Sequence, residues 1–562
     1  NATWQLDDPE QALAAVDALV RMAVEGRSLR ALEWPKGQPL RVHAPLAQAF
    51  AGTLRSRRDW FVIEGELRID EQRVLSLQQL LALLREARGS RFVALGNGEY
   101  LTLTEQLRQR LAELEAIGEV GSEAEGAQLK VGAAAAAWLA EAAPALGVQG
   151  DVAWRERAAQ LEAAATLEPA VPHGLQTTLR PYQLEGYVWM RRLAEAGFGA
   201  ILADDMGLGK TIQTLALLLA RAGVGPALVA APTSVCGNWA EEAARFAPAL
   251  RCTVYGQAEP AERGRSAQLG DAAAGDLLVV SYALLLRDAE AFAGREWATL
   301  VLDEAQALKN AATLRAQAAA ELKAGFRLAL SGTPVENRLA DLWSIMNLVN
   351  PGLMGNATRF AERFGNPIER QRNDGARARL RRLVGPFLLR RTKAQVLTDL
   401  PPRTEIVLRI EPHDEERAFL EAMRREAVER IARLDPADAK NRFNVLAELT
   451  RLRRAACDPR LAAPELGRIG AKVQAFERLA GELVEGGHQA LVFSQFTDFL
   501  KLLAERLDAC GLRYQVLDGS TPAAQRSERV AAFQRGEADL FLISLKAGGF
   551  GLNLTAADYV VI

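Results

Sequence analysis

Short apolar runs, each ending in small, polar or charged residues, alternate with longer amphipathic stretches between about residues 178 and 342. Apolar runs without internal alternation are typical of strands buried on both faces, as in a parallel sheet. The amphipathic stretches have the spacing of helices that cover such a sheet. An α/β lobe is therefore predicted, with strands in GAILADD (199–205), PALVAAP (226–232), DLLVVSY (276–282), ATLVLDE (298–304) and FRLALSGTP (326–334).

A second set of apolar runs begins near residue 489 and shows the same alternation without repeating the first set's sequence. We therefore predict a second nucleotide-fold lobe of the same kind. The arginine-rich stretch 343–468 has helical spacing and is predicted to be a set of helical insertions between the lobes. The second-lobe strands are expected in QALVFSQF (489–496), RYQVLDGS (513–520), DLFLISLKAGG (539–549) and ADYVVI (557–562).

The N-terminal part of the chain does not follow this pattern and predicts a mixed α+β domain. Residues 9–23 have helical spacing, and residues 58–103 are typical of two strands, a turn, a helix and a hairpin. The hairpin turn is expected at Asn97–Gly98. Residues 104–168 are rich in Ala and Glu and predict helix, and residues 166–178 predict a linker. The predicted domains are residues 1–168, 169–342, 343–470 and 471–562.

Composition limits the class of protein. The 562 residues are 49% hydrophobic and 25% charged, with a net charge of −2, as in an ordinary globular protein. Because the whole chain is not basic, any nucleic-acid surface must be a local one. The scattered cysteines include no C-x-x-C pair, which argues against a zinc site or disulfides and indicates a reducing compartment. No charge-free apolar run reaches the roughly 18–20 residues of a membrane span.

The segment DDMGLGKT (204–211) joins the first predicted strand to an amphipathic helix, which is the context of a phosphate-binding loop. Gly207 and Gly209 permit positive φ and a close approach of backbone N–H groups to phosphate. Lys210 is placed to reach the β- and γ-phosphates, and the Thr211 hydroxyl is placed to bind Mg²⁺. The alternative is a glycine-rich turn that only opens a helix, and the strand–loop–helix context argues against it.

Two further features belong to this candidate nucleotide site. Asp204 stands where the general pattern G-x-x-x-x-G-K-[ST] has a glycine. Gln183, within LRPYQLEGYVWM (179–190), is a candidate to bind an adenine edge because an amide both donates and accepts; a helical glutamine is otherwise usually solvent-facing. The candidate ATP-binding residues are Gln183, Asp205, Met206, Gly207, Leu208, Gly209, Lys210 and Thr211.

The run VLDEAQ (301–306) ends an apolar strand in two carboxylates, as a Walker-B motif does. Asp303 would hold Mg²⁺, and Glu304 would orient and deprotonate the attacking water. An Asp-Glu pair after a strand is by itself usually a solvated strand end, but a phosphate loop on the same sheet edge favours the catalytic interpretation. The candidate catalytic residues are Lys210, Asp303, Glu304 and Gln306, and the candidate magnesium ligands are Thr211 and Asp303.

The segment SGTP (331–334) ends the fifth predicted strand in small hydroxyl residues. It is either an ordinary turn or a segment that senses the state of the γ-phosphate. Its position beside the two preceding motifs favours sensing. The candidate coupling residues are Ser331, Gly332 and Thr333.

The order of these motifs, with LRPYQ, DDMGLGKT, DEAQ, SGTP, FLLRRTK, LVFSQF and SLKAGGFGLNLT, resembles the Swi/Snf family of superfamily-two helicase-like ATPases from about Thr178 to Ile562. Asp204 is normal in that family's version of the loop. Residues 58–103 more loosely resemble an N-terminal domain of a bacterial branch. The resemblance implies two RecA-like lobes that close on ATP, and an Mg²⁺- and ATP-dependent motor on double-stranded DNA.

The resemblance also places functional contacts in both lobes. Nucleotide contacts from the second lobe are implied at Gly549 and Gly551. Arg390, Arg391 and Lys393 form a basic run that either touches DNA or braces the lobes, or is a solvated or salt-bridged surface. Each implied DNA contact has an ordinary strand-end turn as its alternative. The implied DNA contacts are Pro232, Thr233, Ser234, Trp239, Ser281, Tyr282, Ser494, Gln495, Phe496, Gly519, Ser520, Ser544, Lys546, Gly548 and Gly549.

The family's arginines that face the γ-phosphate lie beyond the strand that ends at Ile562, so the second lobe is expected to be incomplete at its C-terminus. The main hypothesis is a double-stranded-DNA translocase that remodels or displaces protein–DNA complexes. A strand-separating helicase on DNA or RNA and a binding scaffold with weak ATPase activity are the alternatives. The expected chain is monomeric, cytoplasmic and nucleoid-associated, without a membrane partner, and acts on complexes such as RNA polymerase or nucleoid proteins.

Overall fold

The structure is a computed structural model. It describes residues 6–25, 34, 40–43, 50–57, 60–70, 73–87, 90–120, 128–256, 269–332, 338–396, 404–433, 439–548 and 554–562. The chain divides into two compact units, Asn1–Thr398 and Asp399–Ile562. Within the described part, none of the helices combines the length and apolar character needed to cross a membrane.

The N-terminal part of the first unit is a mixed α+β region, as predicted. Its strands are β1 (Arg41–His43), β2 (Phe50–Ser56), β3 (Trp60–Arg68), β4 (Val74–Ser76), β5 (Phe92–Gly96), β6 (Glu99–Thr102), β7 (Gly118–Val120), β8 (Leu129–Gly132) and β9 (Val148–Gly150). Its helices are α1 (Pro9–Glu25), α2 (Leu77–Glu86), α3 (Glu105–Ile117), α4 (Ala136–Ala145) and α5 (Val152–Thr166).

These strands form two sheets, β1-β6-β5 and β7-β8-β3-β2-β9, with β4 paired to β3. The predicted hairpin is confirmed between β5 and β6, where Asn97 and Gly98 have φ of 52° and 76°. The prediction that residues 104–168 are helical throughout is wrong, because β7, β8 and β9 interrupt the helices. Leu129 and Val131 alternate with Lys130 and bury only one face, so β8 is stabilised by its sheet neighbours.

The rest of the first unit contains the first predicted lobe. Its strands are β10 (Ala200–Leu202), β11 (Ala227–Ala231), β12 (Arg251–Val254), β13 (Asp276–Ser281), β14 (Glu296–Leu302), β15 (Lys323–Leu330) and β16 (Leu388–Leu389). Its helices are α6 (Pro181–Glu195), α7 (Lys210–Ala220), α8 (Cys236–Phe246), α9 (Tyr282–Arg287), α10 (Ala289–Ala293), α11 (Leu314–Glu321), α12 (Leu339–Val349), α13 (Ala357–Phe360), α14 (Asn366–Glu369), α15 (Asp374–Val384) and α16 (Lys393–Val396).

The lobe is built on a sheet with the order β12-β13-β11-β14-β15-β10-β16, in which every pairing is parallel. All five predicted strands are present and nearly fully buried, as their unbroken apolar runs predict. The carboxyl ends of these strands therefore share one edge of the sheet. The stretch 343–468 was predicted to be helical, and β16 contradicts this, because Leu388 and Leu389 extend the sheet beside β10.

The second unit carries a smaller parallel sheet with the order β18-β19-β17-β20. The four predicted strands are confirmed, whereas residues 404–413 before the first helix have no regular secondary structure. The strands are β17 (Ala490–Ser494), β18 (Tyr514–Leu517), β19 (Leu540–Ser544) and β20 (Tyr559–Val561). The helices are α17 (Asp414–Ala432), α18 (Ala439–Cys457), α19 (Ala471–Glu485), α20 (Thr497–Ala509), α21 (Ala523–Gln534) and α22 (Leu545–Gly548).

Inside the first unit, the N-terminal region packs against helix α15 of the first lobe. Glu113 on α3 is 6% exposed, and its carboxylate accepts a hydrogen bond from Arg382 on α15. The same carboxylate accepts from the indole N–H of Trp138 at 3.1 Å and from Arg110 at 3.2 Å. The Glu113 carboxylate therefore receives hydrogen bonds from both regions, because a buried charge needs such partners.

Candidate nucleotide-binding and catalytic site

The candidate phosphate-binding loop lies between β10 and α7, in the strand–loop–helix context that the sequence predicts. Gly207 and Gly209 have φ of 85° and 76°, a region that side chains with a Cβ rarely adopt. The ammonium of Lys210 donates to the carbonyl of Asp204 at 2.8 Å. Burial lowers the pKa of Lys210, while the charges of Glu304 and Asp303 oppose that shift. The loop thus holds a partly desolvated ammonium close to the Walker-B carboxylates.

Asp204, the residue that replaces the usual glycine, is fully buried and paired with Arg391. The guanidinium donates to the two carboxylate oxygens at 3.0 Å and 2.6 Å, and the Arg391 backbone N–H donates at 3.1 Å. Arg391 also donates to Gln213 on α7 at 2.9 Å and to the Tyr182 carbonyl. Within the basic run, Arg391 is therefore salt-bridged and buried, whereas Arg390 is exposed.

Two more side chains lie against the loop. Gln183 is buried, donates to the Leu208 carbonyl at 3.2 Å and accepts from the Arg180 backbone N–H at 2.9 Å. Its amide therefore braces the loop in this structure, and adenine binding stays a prediction. The side-chain end of Lys393 lies within 3.6 Å of where a Cβ on Gly207 would be. The basic run thus supplies a second ammonium beside the loop.

The Walker-B carboxylate Asp303 follows β14 and is 8% exposed. Its two oxygens accept from the indole N–H of Trp239 at 2.8 Å and from the Glu304 backbone N–H at 2.9 Å. Its carbonyl accepts from the Tyr282 hydroxyl at 2.7 Å. Burial raises the pKa of Asp303 to about 6, and the charge of Glu304 adds to this effect. A carboxylate in this setting is suited to bind a cation.

A chain of hydrogen bonds joins the Walker-B motif to the SGTP segment. Glu304 has the left-handed backbone of φ 49° and ψ 51°, which costs free energy for a non-glycine residue. Its carboxylate accepts from the Gln306 amide, whose oxygen accepts from the Ser331 hydroxyl at 2.8 Å. Gly332 lies near Met206 of the loop. Of the predicted coupling residues, Thr333 lies outside the described residues.

The donor set fits a magnesium ion. Glu242 on α8 lies close to both Thr211 and Asp303: burial, followed by the charge of Asp303, raises the pKa of Glu242, and the Thr211 hydroxyl opposes that shift. Thr211 and Asp303 therefore belong to one charged cluster. The described residues contain no group of three or more His, Cys, Asp or Glu side chains placed to hold a metal ion. Mg²⁺ commonly uses one or two protein ligands together with waters and substrate phosphates, so the cluster suits it.

The predicted DNA contacts of the first lobe fall into two groups. Thr233 and Ser234 are exposed beyond the end of β11, with Pro232 half-buried beside them. Trp239 and Tyr282 are buried instead, at 1% and 4% exposure, and both face Asp303. Ser281 is also buried, and its hydroxyl accepts from the Leu284 backbone N–H at 3.3 Å as the N-cap of α9.

In the second unit, three predicted contacts follow β17. Ser494 and Phe496 are half-buried, and Gln495 is exposed and accepts from Arg453 at 2.6 Å. The Arg453 guanidinium also lies 5.8 Å from the centre of the Phe496 ring. Arg453 lies on α18, within the arginine-rich stretch 343–468 that the sequence predicts to be helical.

The remaining second-unit positions lie at the ends of β18 and β19. Ser520 is exposed and donates to Asp518 at 2.6 Å, and Gly519 precedes it. Ser544 is 3% exposed, whereas Lys546, two residues later, is exposed. Gly548 ends α22, and Gly549 and Gly551 lie outside the described part of the chain.

Comparison with known families agrees with this arrangement. The SNF2-related domain matches residues 182–461, and the helicase conserved C-terminal domain matches residues 471–562. The chain belongs to the Swi/Snf family. The two parallel α/β sheets are therefore the RecA-like lobes of a Swi/Snf protein, as the sequence predicted.

Several Swi/Snf relatives are similar over most of this chain. YwqA of Bacillus subtilis (strain 168), provisionally described as an ATP-dependent helicase/translocase, is 37% identical over 74% of this chain and 46% of its own. The chromodomain-helicase-DNA-binding protein 1-like of Mus musculus is 36% identical over 68% of this chain and 44% of its own. The present chain thus matches less than half the length of these relatives.

A solved Swi/Snf structure is also similar. The SWI2/SNF2 ATPase core of Sulfolobus solfataricus in complex with dsDNA is 33% identical, covering 70% of this chain and 83% of that chain, with a TM-score of 0.40.

Proposed function

We propose that this chain hydrolyses ATP and uses it to move along double-stranded DNA, remodelling or displacing protein–DNA complexes. The observation that carries the proposal is the convergence of Lys210, Asp303 and Glu304 at one sheet edge, where both carboxylates act on the Lys210 ammonium. A phosphate loop after β10 and a carboxylate pair after β14, at the carboxyl ends of parallel strands of one sheet, form the arrangement that nucleotide hydrolysis requires.

Each residue has a defined part in this reaction. Lys210 and the loop amides would bind the β- and γ-phosphates, and Thr211 and Asp303 would hold Mg²⁺. The bound ion would neutralise charge on the phosphates. Glu304 would orient the attacking water and take its proton. The hydrogen bond from Gln306 to Glu304 keeps that carboxylate in place.

The DNA part of the proposal rests on the polar strand ends. Thr233 and Ser234 are exposed at the same sheet edge as the catalytic residues, and Lys546 is exposed in the second unit. Hydroxyl and ammonium groups suit phosphate oxygens, which position a protein on DNA without reading its sequence. The names of the two relatives, one a helicase/translocase and one DNA-binding, support the same activity.

The test measures ATP turnover with no nucleic acid, single-stranded DNA, double-stranded DNA and RNA, at one stated salt concentration. We expect the largest stimulation from double-stranded DNA. Lys210→Ala should abolish turnover because it removes the phosphate-binding ammonium. Glu304→Gln should abolish turnover but retain nucleotide binding, because the amide cannot take the proton. Stimulation by RNA alone would overturn the proposal.

Movement is tested separately from hydrolysis. Displacement of a third strand from a DNA triplex, without unwinding of a forked duplex, is expected of a translocase. Unwinding of the fork would favour the strand-separating alternative instead. Nucleotide binding without any turnover on double-stranded DNA would favour the binding scaffold.

A further inference from the structure

Helix α8 connects the exposed loop Thr233–Ser234 to the candidate magnesium ligands. The helix begins at Cys236, one residue after that loop, and packs against β12 and β13. Trp239, in its first turn, donates its indole N–H to the Asp303 carboxylate at 2.8 Å. Glu242, three residues later and on the same helical face, lies close enough to Thr211 for that hydroxyl to lower the pKa of its carboxyl. One short helix therefore touches both candidate ligands.

Packing alone does not account for these contacts. Trp239 is 1% exposed, and an indole fills a core equally well with its N–H directed to a backbone carbonyl. Trp297 does this, since it is 2% exposed and donates to the Phe292 carbonyl at 3.3 Å. Trp239 instead engages the carboxylate that would hold the metal. Partners of metal ligands fix the orientation of those ligands.

The second contact has the same character. Glu242 is half-buried and lies within reach of the Asp303 charge, an unfavourable place for a second carboxylate unless a cation or a donor offsets it. The Thr211 hydroxyl is such a donor. A hydroxyl that gives its proton to Glu242 directs its oxygen lone pairs elsewhere, which prepares them for a metal ion.

We propose that Trp239 and Glu242 are positioning residues for the magnesium ligands, and that α8 transmits contact at Thr233–Ser234 to the metal site. The proposal rests on the proposed ATPase and DNA-binding function. Phosphate contact at the loop would shift the start of α8, and Trp239 and Glu242 would carry that shift to Asp303 and Thr211. Tyr282, which donates to the Asp303 carbonyl, makes the corresponding contact from the end of β13.

The test uses the full chain and needs no turnover. Binding of a fluorescent ADP analogue is titrated with Mg²⁺ in the absence of DNA, and again with the metal chelated. Trp239→Phe is expected to raise the half-saturating Mg²⁺ concentration about 10-fold, a typical effect of removing the partner of a metal ligand. Binding in chelator should change less than about 2-fold, because the phosphate loop is untouched.

The matched control is Trp297→Phe, which removes an equally buried indole from the strand that leads to Asp303. It should lower thermal stability about as much as Trp239→Phe and leave the Mg²⁺ requirement unchanged. Equal Mg²⁺ requirements in the two variants would show that Trp239 only fills the core, and would overturn the proposal.

A second pair keeps the test valid if Trp239→Phe does not fold. Glu242→Ala should raise the half-saturating Mg²⁺ concentration, and Glu242→Gln should raise it less, because the amide oxygen can still accept from Thr211. Glu241→Ala, at the exposed neighbouring position, is the control. No difference between Glu242→Ala and Glu241→Ala would overturn the role of Glu242.

The transmission step has its own readout. Double-stranded DNA should lower the Mg²⁺ requirement of the wild-type chain but not that of Trp239→Phe. An equal reduction in both would overturn transmission through α8. Failure of the proposed function would look different: DNA would then leave ATP turnover unchanged, while the DNA-free Mg²⁺ titration would still separate Trp239→Phe from Trp297→Phe.

Discussion

Arg391 and Asp204 form a buried ion pair, with the guanidinium 3.0 Å and 2.6 Å from the two carboxylate oxygens. The pair joins the residue before the phosphate loop to the segment that follows β16. Two backbone bonds run beside it, from Ala203 to the Leu389 carbonyl at 2.7 Å and from Asp205 to the Arg391 carbonyl at 3.0 Å. Asp204, at the position where the general phosphate-loop pattern has a glycine, therefore links the edge strand β16 to the nucleotide site.

Arg391→Ala is expected to destabilise the first unit by about 3–5 kcal/mol, because it leaves the Asp204 charge buried without its partner. Arg391→Lys should recover only part of this loss, since an ammonium cannot bind both carboxylate oxygens in the fork geometry. Thermal unfolding of the full chain, followed by tryptophan fluorescence, measures both variants.

The control for this pair is Arg390→Ala, whose exposed side chain should change stability by no more than about 0.5 kcal/mol. The double replacement Asp204→Leu with Arg391→Met should be milder than Arg391→Ala alone, because it removes both charges together. If the double replacement lowers the free energy of unfolding by as much as Asp204→Leu and Arg391→Met added together, this account is wrong.

Stability without metal should depend on pH through Asp303. Its folded pKa of about 6 lies above the ordinary value of 3.8, so the unfolded chain loses this proton first. The free energy of unfolding therefore carries no cost from Asp303 below pH 3.8, falls as the pH rises further, and has lost the full amount above about pH 6. Above that, the ionised group costs up to about 3 kcal/mol, at about 1.4 kcal/mol per pKa unit.

Asp303→Asn removes this cost and still accepts a hydrogen bond from Trp239. Its stability gain over wild type, measured in chelator, should grow between about pH 4 and pH 6 and stay constant above. A gain that is the same at every pH would show that burial does not raise the pKa of Asp303. Added Mg²⁺ should reduce the gain, because the cation favours the ionised form.

The bond between Ser331 and Gln306 should couple the SGTP segment to catalysis. Ser331→Ala leaves the Gln306 oxygen without that donor, so we expect DNA-stimulated turnover to fall several-fold while nucleotide affinity is retained. Ser331→Ala combined with Gln306→Ala should cost little more than either change alone, because both break one bond. The control is Ser344→Ala, another buried serine, which donates to the Leu308 carbonyl at 3.0 Å.

The ion pair between Arg382 and Glu113 should hold the N-terminal region against the first lobe. Arg382→Ala is expected to increase hydrogen exchange in α3 and α15, since Glu113 loses its ion pair across this interface while keeping Arg110 and Trp138. The same change at Arg381, an exposed neighbour on α15, should leave exchange unaltered. Equal exchange in both variants would assign the docking to apolar packing instead.

Much of the site follows from local patterns. The strand-loop-helix context of Gly207 to Thr211 and the strand end at Asp303 are short-range features, and parallel strands bring such ends to one edge. The family resemblance added that the two lobes are RecA-like. The strand β16 was missed because two residues are too few to show a period, and pairing with β10 decides their conformation.

The sequence by itself determined the two α/β lobes, the phosphate loop and the carboxylate pair, because periodicity and motif spacing act within a few residues of the chain. Only the tertiary structure decided which distant side chains meet. Arg391 reaches Asp204 across 187 residues, and Trp239 reaches Asp303 across 64. Such pairs depend on strand order and helix packing, so Trp239, for which the family resemblance implied a DNA contact, lies buried against the candidate magnesium ligand.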